Sequence, residues 1–173
     1  MKTLLAVLTI GASLSLASAQ SYVAIMDGAQ DSGGARMGMG TVDLTLSGTT
    51  LSLSGSYSGL TTDMTDAHIH GPSLPGVNVG ILYHLFSTGI ATGTTSGTIS
   101  GDVNLVPLMA GAYTVAEQID DLNNNLWYIN IHNTTFSGGE IRGQIVLVPE
   151  PSALALLALA AASLAAWRRA RPF

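Results

Sequence analysis

A chain of 173 residues has room for one domain with appended segments, and this one contains no cysteine, which excludes disulfide scaffolding, thiol catalysis and Cys-ligated zinc or iron–sulfur sites. Four of its six basic residues, Lys2, Arg168, Arg169 and Arg171, lie near the two ends, leaving only Arg36 and Arg142 against ten acids between Asp27 and Glu140. A surface of that sign repels phosphate backbones and anionic lipid, so no nucleic-acid partner is expected.

The first segment has the pattern of a targeting sequence. Lys2 gives a positive start, Leu4 to Leu16 is mostly apolar, and Ala17-Ser18-Ala19 is the small-x-small site a signal peptidase reads. Residues 1–19 are assigned as a Sec signal peptide, Gln20 as the first mature residue, and the protein is expected to be exported.

From Gln20 to Leu147 short alternating runs are punctuated by Gly, Ser and Thr, the composition of an all-β domain. Ser21 to Met26 predicts a first strand and Asp31 to Gly34 a loop. In Thr41 to Leu46, Val42, Leu44 and Leu46 alternate with Thr41, Asp43 and Thr45. After the turn Ser47-Gly48-Thr49-Thr50, Leu51, Leu53, Gly55 and Tyr57 alternate with serines, so the pair predicts a hairpin with one buried and one wet face. Beyond an acidic loop, Thr61 to Asp66, comes Ala67-His68-Ile69-His70, closed by the turn signal Gly71-Pro72 and a loop over Ser73 to Asn78. Val79 to Phe86, carrying His84, predicts the next strand, and Ala91 to Val103 a weakly apolar edge strand. Thr114-Val115-Ala116-Glu117 fits a capping box that starts one short helix, with Val115, Ile119 and Leu122 on its sheet side and Asn123-Asn124-Asn125 at its end. Leu126 to His132 and Gly139 to Val148 predict the closing strands. Strands recurring at these intervals predict a β-sandwich or Greek-key barrel of about seven to eight strands with one short helix.

The histidines are the chemically distinctive feature. A strand sends alternate side chains to one face, so His68 and His70 lie together, about 6.6–6.8 Å apart, while Ile69 points the other way. Two imidazoles at that distance reach one ion with bonds of about 2 Å. A third ligand has to come from a neighbouring strand, where His132 is the first candidate and Glu140 the next; His84, beside Tyr83, is a poorer one. The alternative is structural: the imidazoles hydrogen-bond loop carbonyls and the acidic Asp63–Asp66 stretch, fixing the Gly71-Pro72 turn. Asp66 and Arg142 are assigned structural roles. Arg142 shares a face with Glu140 and Gln144, and is either a surface partner of Glu140 or buried against an acid such as Asp66.

At Val148 the composition shifts. Pro149-Glu150-Pro151 breaks any strand, and an Ala/Leu run from Ser152 to Trp167 ends in Arg168, Arg169 and Arg171. The run falls short of the roughly 20 residues of a stable membrane span, yet Trp167 and the arginines stand where an interfacial anchor and a positive-inside signal belong. Residues 148–173 are therefore expected to form a C-terminal apolar helix held in the inner membrane.

Two resemblances follow from these residues. The Pro-Glu-Pro break, apolar run and basic end resemble a PEP-CTERM sorting signal, which implies a Gram-negative bacterium, an exosortase that removes the anchor, and a place at the surface or in the extracellular matrix. Gly28-Ala29-Gln30, Ala67 to Pro72, Tyr128 to His132 and Gly139 to Ile145 together resemble a CHRD domain over residues 20–147. That family implies an extracellular β domain without established catalysis in bacteria; its growth-factor partner in animals does not carry over. The chain departs from the family at Ser32-Gly33, where a proline usually follows the acidic residue, and at Asn133, where Thr is favoured. In a few residues it is also similar to Cu/Zn superoxide dismutase, but the disulfide cysteines and a second dense histidine cluster are missing. No nucleophile elbow or metalloprotease motif supports a hydrolase. The expected function is a non-catalytic secreted or cell-surface protein that binds or builds an unidentified surface or matrix component. The alternative is an extracellular domain that holds zinc or copper on the His-x-His strand, and no other cofactor is expected.

Overall fold

The hairpin predicted from alternation sets the architecture. β2 (Met39–Ser47) and β3 (Thr50–Ser58) pair antiparallel across a two-residue turn at Gly48-Thr49, burying Val42, Leu44 and Leu46 beside Leu51, Leu53 and Tyr57 while the serines of β3 stay exposed. The computed structural model describes residues 19–30, 36–85, 92–149, 159, 161–164 and 167. The remaining strands are β1 (Gln20–Asp27), β4 (Met64–His70), β5 (Ile81–His84), β6 (Gly97–Asn104), β7 (Tyr128–Asn133) and β8 (Ile141–Leu147). Among the described residues the eight strands form one antiparallel sheet in the order β5-β4-β7-β8-β1-β2-β3-β6.

The sheet curls into a near-barrel. Its two ends approach each other where Met64 N–H donates to Thr94 O at 2.9 Å and Gly93 N–H to Met64 O at 3.0 Å. Farther along, the Tyr83 hydroxyl of β5 accepts from Val106 N–H, just past β6, at 3.3 Å. Curling hides the edges that would otherwise template further pairing. The lumen is filled by one face of each strand, including Tyr22, Ala24, Val42, Leu53, Ile69, Ile99, Ile131, Ile141 and Ile145.

The helix α1 (Val115–Asn123) closes one end. Its capping box forms as predicted: Glu117 N–H donates to Thr114 Oγ1 at 3.3 Å and Thr114 N–H to Glu117 Oε2 at 2.7 Å. Leu122 is fully buried, whereas Val115 and Ile119 pack at the margin. Below it the indole N–H of Trp127 donates to the Tyr113 hydroxyl at 3.1 Å, which donates to Asp121 Oδ2 at 2.7 Å. Gln118, fully buried, is satisfied by the Tyr83 hydroxyl and the carbonyls of Val106 and Tyr113.

The structure differs from the sequence expectations in two ways. Boundaries move: the histidine strand starts at Met64, so Asp66 belongs to it; the strand expected over Val79 to Phe86 contracts to β5, its end at Phe86 lying outside the described residues; β6 spans Gly97–Asn104 and is indeed an edge. The second difference matters more. The outer face of β4, β7 and β8, unlike the wet outer face predicted for the hairpin, buries His68, His70, Tyr128, Asn130, Arg142 and Gln144. Alternation says which residues share a face, but not whether a loop lies over it, and here the segment from Gly71 to Gly80 does. The expected signal peptide up to Ser18, and Glu150, Pro151, Arg168, Arg169 and Arg171, lie outside the described residues; residues 161–164 are helical. Among the described residues no helix is long and apolar enough to cross a membrane.

Candidate metal centre

The site is built on the outer face of β4. Ala67 and Ile69 go into the lumen, which turns His68 and His70 outward. Pairing then supplies the neighbours: β7 places His132 opposite Asp66 and Tyr128 opposite His70, and β5 places His84 opposite His68.

The covering loop leaves β4 at Gly71, where a Cβ would lie 2.5 Å from Trp127 Cδ1 and 3.1 Å from Leu126 O, so only glycine lets the chain turn this close. Ser73 N–H donates to Leu126 O at 2.7 Å. Arg142, fully buried, then grips the loop from below: Nη1 donates to Val77 O at 3.0 Å and Asn78 Oδ1 at 2.9 Å, and Nη2 to Leu74 O at 3.3 Å. Its guanidinium lies 3.5 Å from the centre of the Tyr128 ring, which is stacked on His70 at 4.8 Å and 4°. Gln144 adds bonds to Ser73 O and Asn125 O. Asp66 is not among the partners of Arg142; the guanidinium is held by loop oxygens instead of that acid.

Hydrogen bonds set the tautomers. The His70 Nδ1–H donates to Val79 O at 2.9 Å and the His132 Nδ1–H to Ser137 O at 2.9 Å, so each ring presents an Nε2 lone pair. His68 Nδ1 stands 3.0 Å from His132 Nε2. The Nε2 atoms of His68 and His70 are buried and make no hydrogen bond. His68 Nε2 lies 2.8 Å from Asp66 Oδ1, a close electrostatic approach that is out of line for a hydrogen bond. One nitrogen from each of His68, His70 and His132 lies within 4.8 Å of the others, at the wall of an open cleft of about 490 Å³ shared with Asp66, Thr134 and Ser137.

The electrostatics keep His68 and His70 neutral. Burial lowers the pKa of His68 to about 4, against the raising influence of Asp66 and helped by His132, His84 and His70. Burial also lowers that of His70, opposed by its bond to the Val79 carbonyl. At neutral pH both therefore offer lone pairs, the form in which imidazole ligates a metal.

Glu140 stands apart from the histidines. Its carboxylate, fully buried, accepts from Thr61 N–H at 2.9 and 3.0 Å, from Thr61 Oγ1 at 2.8 Å and from the Asn133 side-chain amide. The loop beneath is as tight: a Cβ on Gly139, whose φ is +121°, would meet Asn130 Oδ1 at 2.1 Å. Arg36 donates to the carbonyls of Gly139 and Glu140 and lies over Phe136. Sequence reasoning ranked His84 low, yet it faces His68 at a ring separation of 4.6 Å. The signal that would have found it is the β4–β5 pairing, which no local pattern reveals across so long a loop.

Of the segments that shape this region, Gly28-Ala29-Gln30 braces it from β1: Gln30 bonds Asp27 and the Ile25 carbonyl and accepts from Gln144 N–H. Residues 147–170 match the PEP-CTERM protein-sorting motif, which implies processing by an exosortase and a place outside the cell or at its surface. Among curated proteins none matches the chain. Residues 22–145 match the CHRD domain, a span that takes in the barrel but for the first two residues of β1 and the last two of β8, with all the residues of the histidine site, and the chain belongs to that family.

Proposed function

We propose that the exported domain is a binding module that holds a divalent transition-metal ion through His68 Nδ1, His70 Nε2 and His132 Nε2. The supporting observation is a proton conflict at His68. Its Nδ1 faces a lone pair on His132 at 3.0 Å and its Nε2 faces the Asp66 carboxylate at 2.8 Å. A neutral imidazole has one N–H, so either tautomer leaves a lone pair against a negative or lone-pair neighbour. A cation between His68, His70 and His132 removes the conflict, because all three nitrogens then point lone pairs at positive charge and the remaining proton sits toward Asp66. The carbonyls of Val79 and Ser137 play the orienting part that outer hydrogen-bond partners play for metal-bound histidines.

Three imidazoles suit zinc or copper and leave a position open toward the cleft. The acidic domain surface raises the local cation concentration. Within the exosortase-processed protein, this reading makes the domain a non-catalytic, metal-holding component of the surface or matrix. Titration of zinc and copper into wild type, His68→Ala, His70→Ala and His132→Ala tests it. The wild type should bind at least tenfold tighter than each variant; equal affinity across the set would leave the histidines as scaffold.

A further inference from the structure

Resting on the three-histidine reading, the geometry points to a second ion beside the first, held by Asp66, His84 and the opposite nitrogen of His68, so that the His68 ring bridges two metals. His68 belongs to two ligand sets at once: with His70 and His132, and with Asp66 and His84, the donor atoms of each set lying within 4.8 Å of one another. The two sets meet its two nitrogens, Nδ1 toward His132 at 3.0 Å and Nε2 toward Asp66 at 2.8 Å. His84 stands directly across the strand pair from His68, edge to face at 4.6 Å between ring centres.

A single-ion site would use Asp66 differently. An outer carboxylate that orients a metal-bound histidine receives the ring N–H in line. Here Asp66 Oδ1 is close enough but out of line, His68 Nε2 stays buried without a hydrogen bond, and the same oxygen already accepts the Ala67 N–H at 2.8 Å. A carboxylate oxygen and a ring nitrogen that sit near each other without sharing a proton are placed as two ligands of one ion. The burial pattern fits as well: the first ion lies between two buried rings and half-buried His132, the second beside half-buried Asp66 and exposed His84.

Loading the second position displaces one proton. The His68 Nε2–H bond breaks, the proton leaves to solvent, and the freed electron pair binds the incoming ion while Nδ1 remains on the first. With bonds of about 2 Å on either side of the ring, the two ions stand about 6 Å apart. That separation through a conjugated ring couples two copper(II) spins.

The purified protein is saturated with copper(II), freed of excess by gel filtration, and assayed for metal content and for low-temperature electron paramagnetic resonance. Two copper per chain with an integrated signal far below the copper content supports the bridge. His84→Ala should retain one copper and regain a full one-spin signal, with an unchanged thermal midpoint showing that an exposed residue was altered without harm to the fold. One copper in the wild type overturns the second site and leaves the first standing. Two copper with two independent spins, or two copper undiminished in His84→Ala, overturns the bridge. No copper at all overturns both readings.

Discussion

Replacing Arg142 by Ala should remove the main support of the loop that roofs the histidines. The guanidinium makes three bonds of 3.3 Å or less, to Val77 O, Asn78 Oδ1 and Leu74 O, and lies 3.5 Å over Tyr128. Hydrogen bonds to a charged group contribute about 1.5–3 kcal/mol each, and a cation–π contact roughly 0.5–2 kcal/mol. These do not add, because burying the guanidinium costs several kcal/mol and the loop oxygens can regain water once the loop lifts. The net loss is expected at about 3–5 kcal/mol, a large share of the roughly 5–15 kcal/mol that holds a domain folded. Urea unfolding of wild type, Arg142→Ala and Arg142→Lys gives the number. Lysine keeps the charge but lacks the planar fork that reaches three acceptors, so it should recover only part of the loss. Hydrogen exchange at Ser73 and Val79, whose N–H groups bond Leu126 O and the Tyr128 hydroxyl, should speed up in both variants. An Arg142→Ala protein within 1 kcal/mol of wild type would refute the account of Arg142 as the clamp.

The remaining predictions are simpler. In the metal-free protein, the His68 pKa of about 4 lies below the 6.5 of the unfolded chain, so the unfolded state binds more protons between these values; stability should fall as pH drops from 6.5 to 4, by at most about 3 kcal/mol. Asp66 and His70 on β4, His84 on β5 and His132 on β7 face the ring, and His68→Gln should flatten that part of the profile in denaturant melts. Gly71→Ala sets a methyl 2.5 Å from the Trp127 ring and should cost about 1–3 kcal/mol; an unshifted thermal midpoint would mean the turn has room to spare. Glu140→Gln exchanges an acceptor for a donor facing Thr61 and Asn133, and a loss of about 2 kcal/mol in urea titrations is expected, while metal affinity should hold.

Much of this was legible because it is local. Period two in Ala67 to His70 put both histidines on one face, the alternation in Thr41 to Tyr57 gave the hairpin, and Thr114 with Glu117 marked the helix start. What local pattern cannot carry is the identity of partners brought in from afar. His132 could be named as a ligand candidate since a third ligand has to come from a neighbouring strand and His132 ends an alternating one. Arg142 was expected either to pair with Glu140 at the surface or to be buried against an acid such as Asp66, yet a guanidinium can be satisfied by backbone carbonyls, and nothing in a sequence advertises where those will lie. Glu140 shared a predicted face with Arg142, but the tight turn at Gly139 aims its carboxylate at Thr61.

β1 and β8 run side by side and antiparallel, with Tyr22 opposite Leu147, so the chain enters and leaves the barrel at one pole. The opposite pole holds the start of β8, where Ile141 pairs with Ile131, next to His132. The six steps from Ile141 to Leu147 span about 20 Å at 3.3 Å per residue. The sorting motif over residues 147–170 therefore leaves the barrel at its helix-capped pole, while His132 lies toward the other end of β7. Processing by an exosortase, which that motif implies, falls away from the open cleft at Asp66, His68 and His132 and uncovers nothing in it.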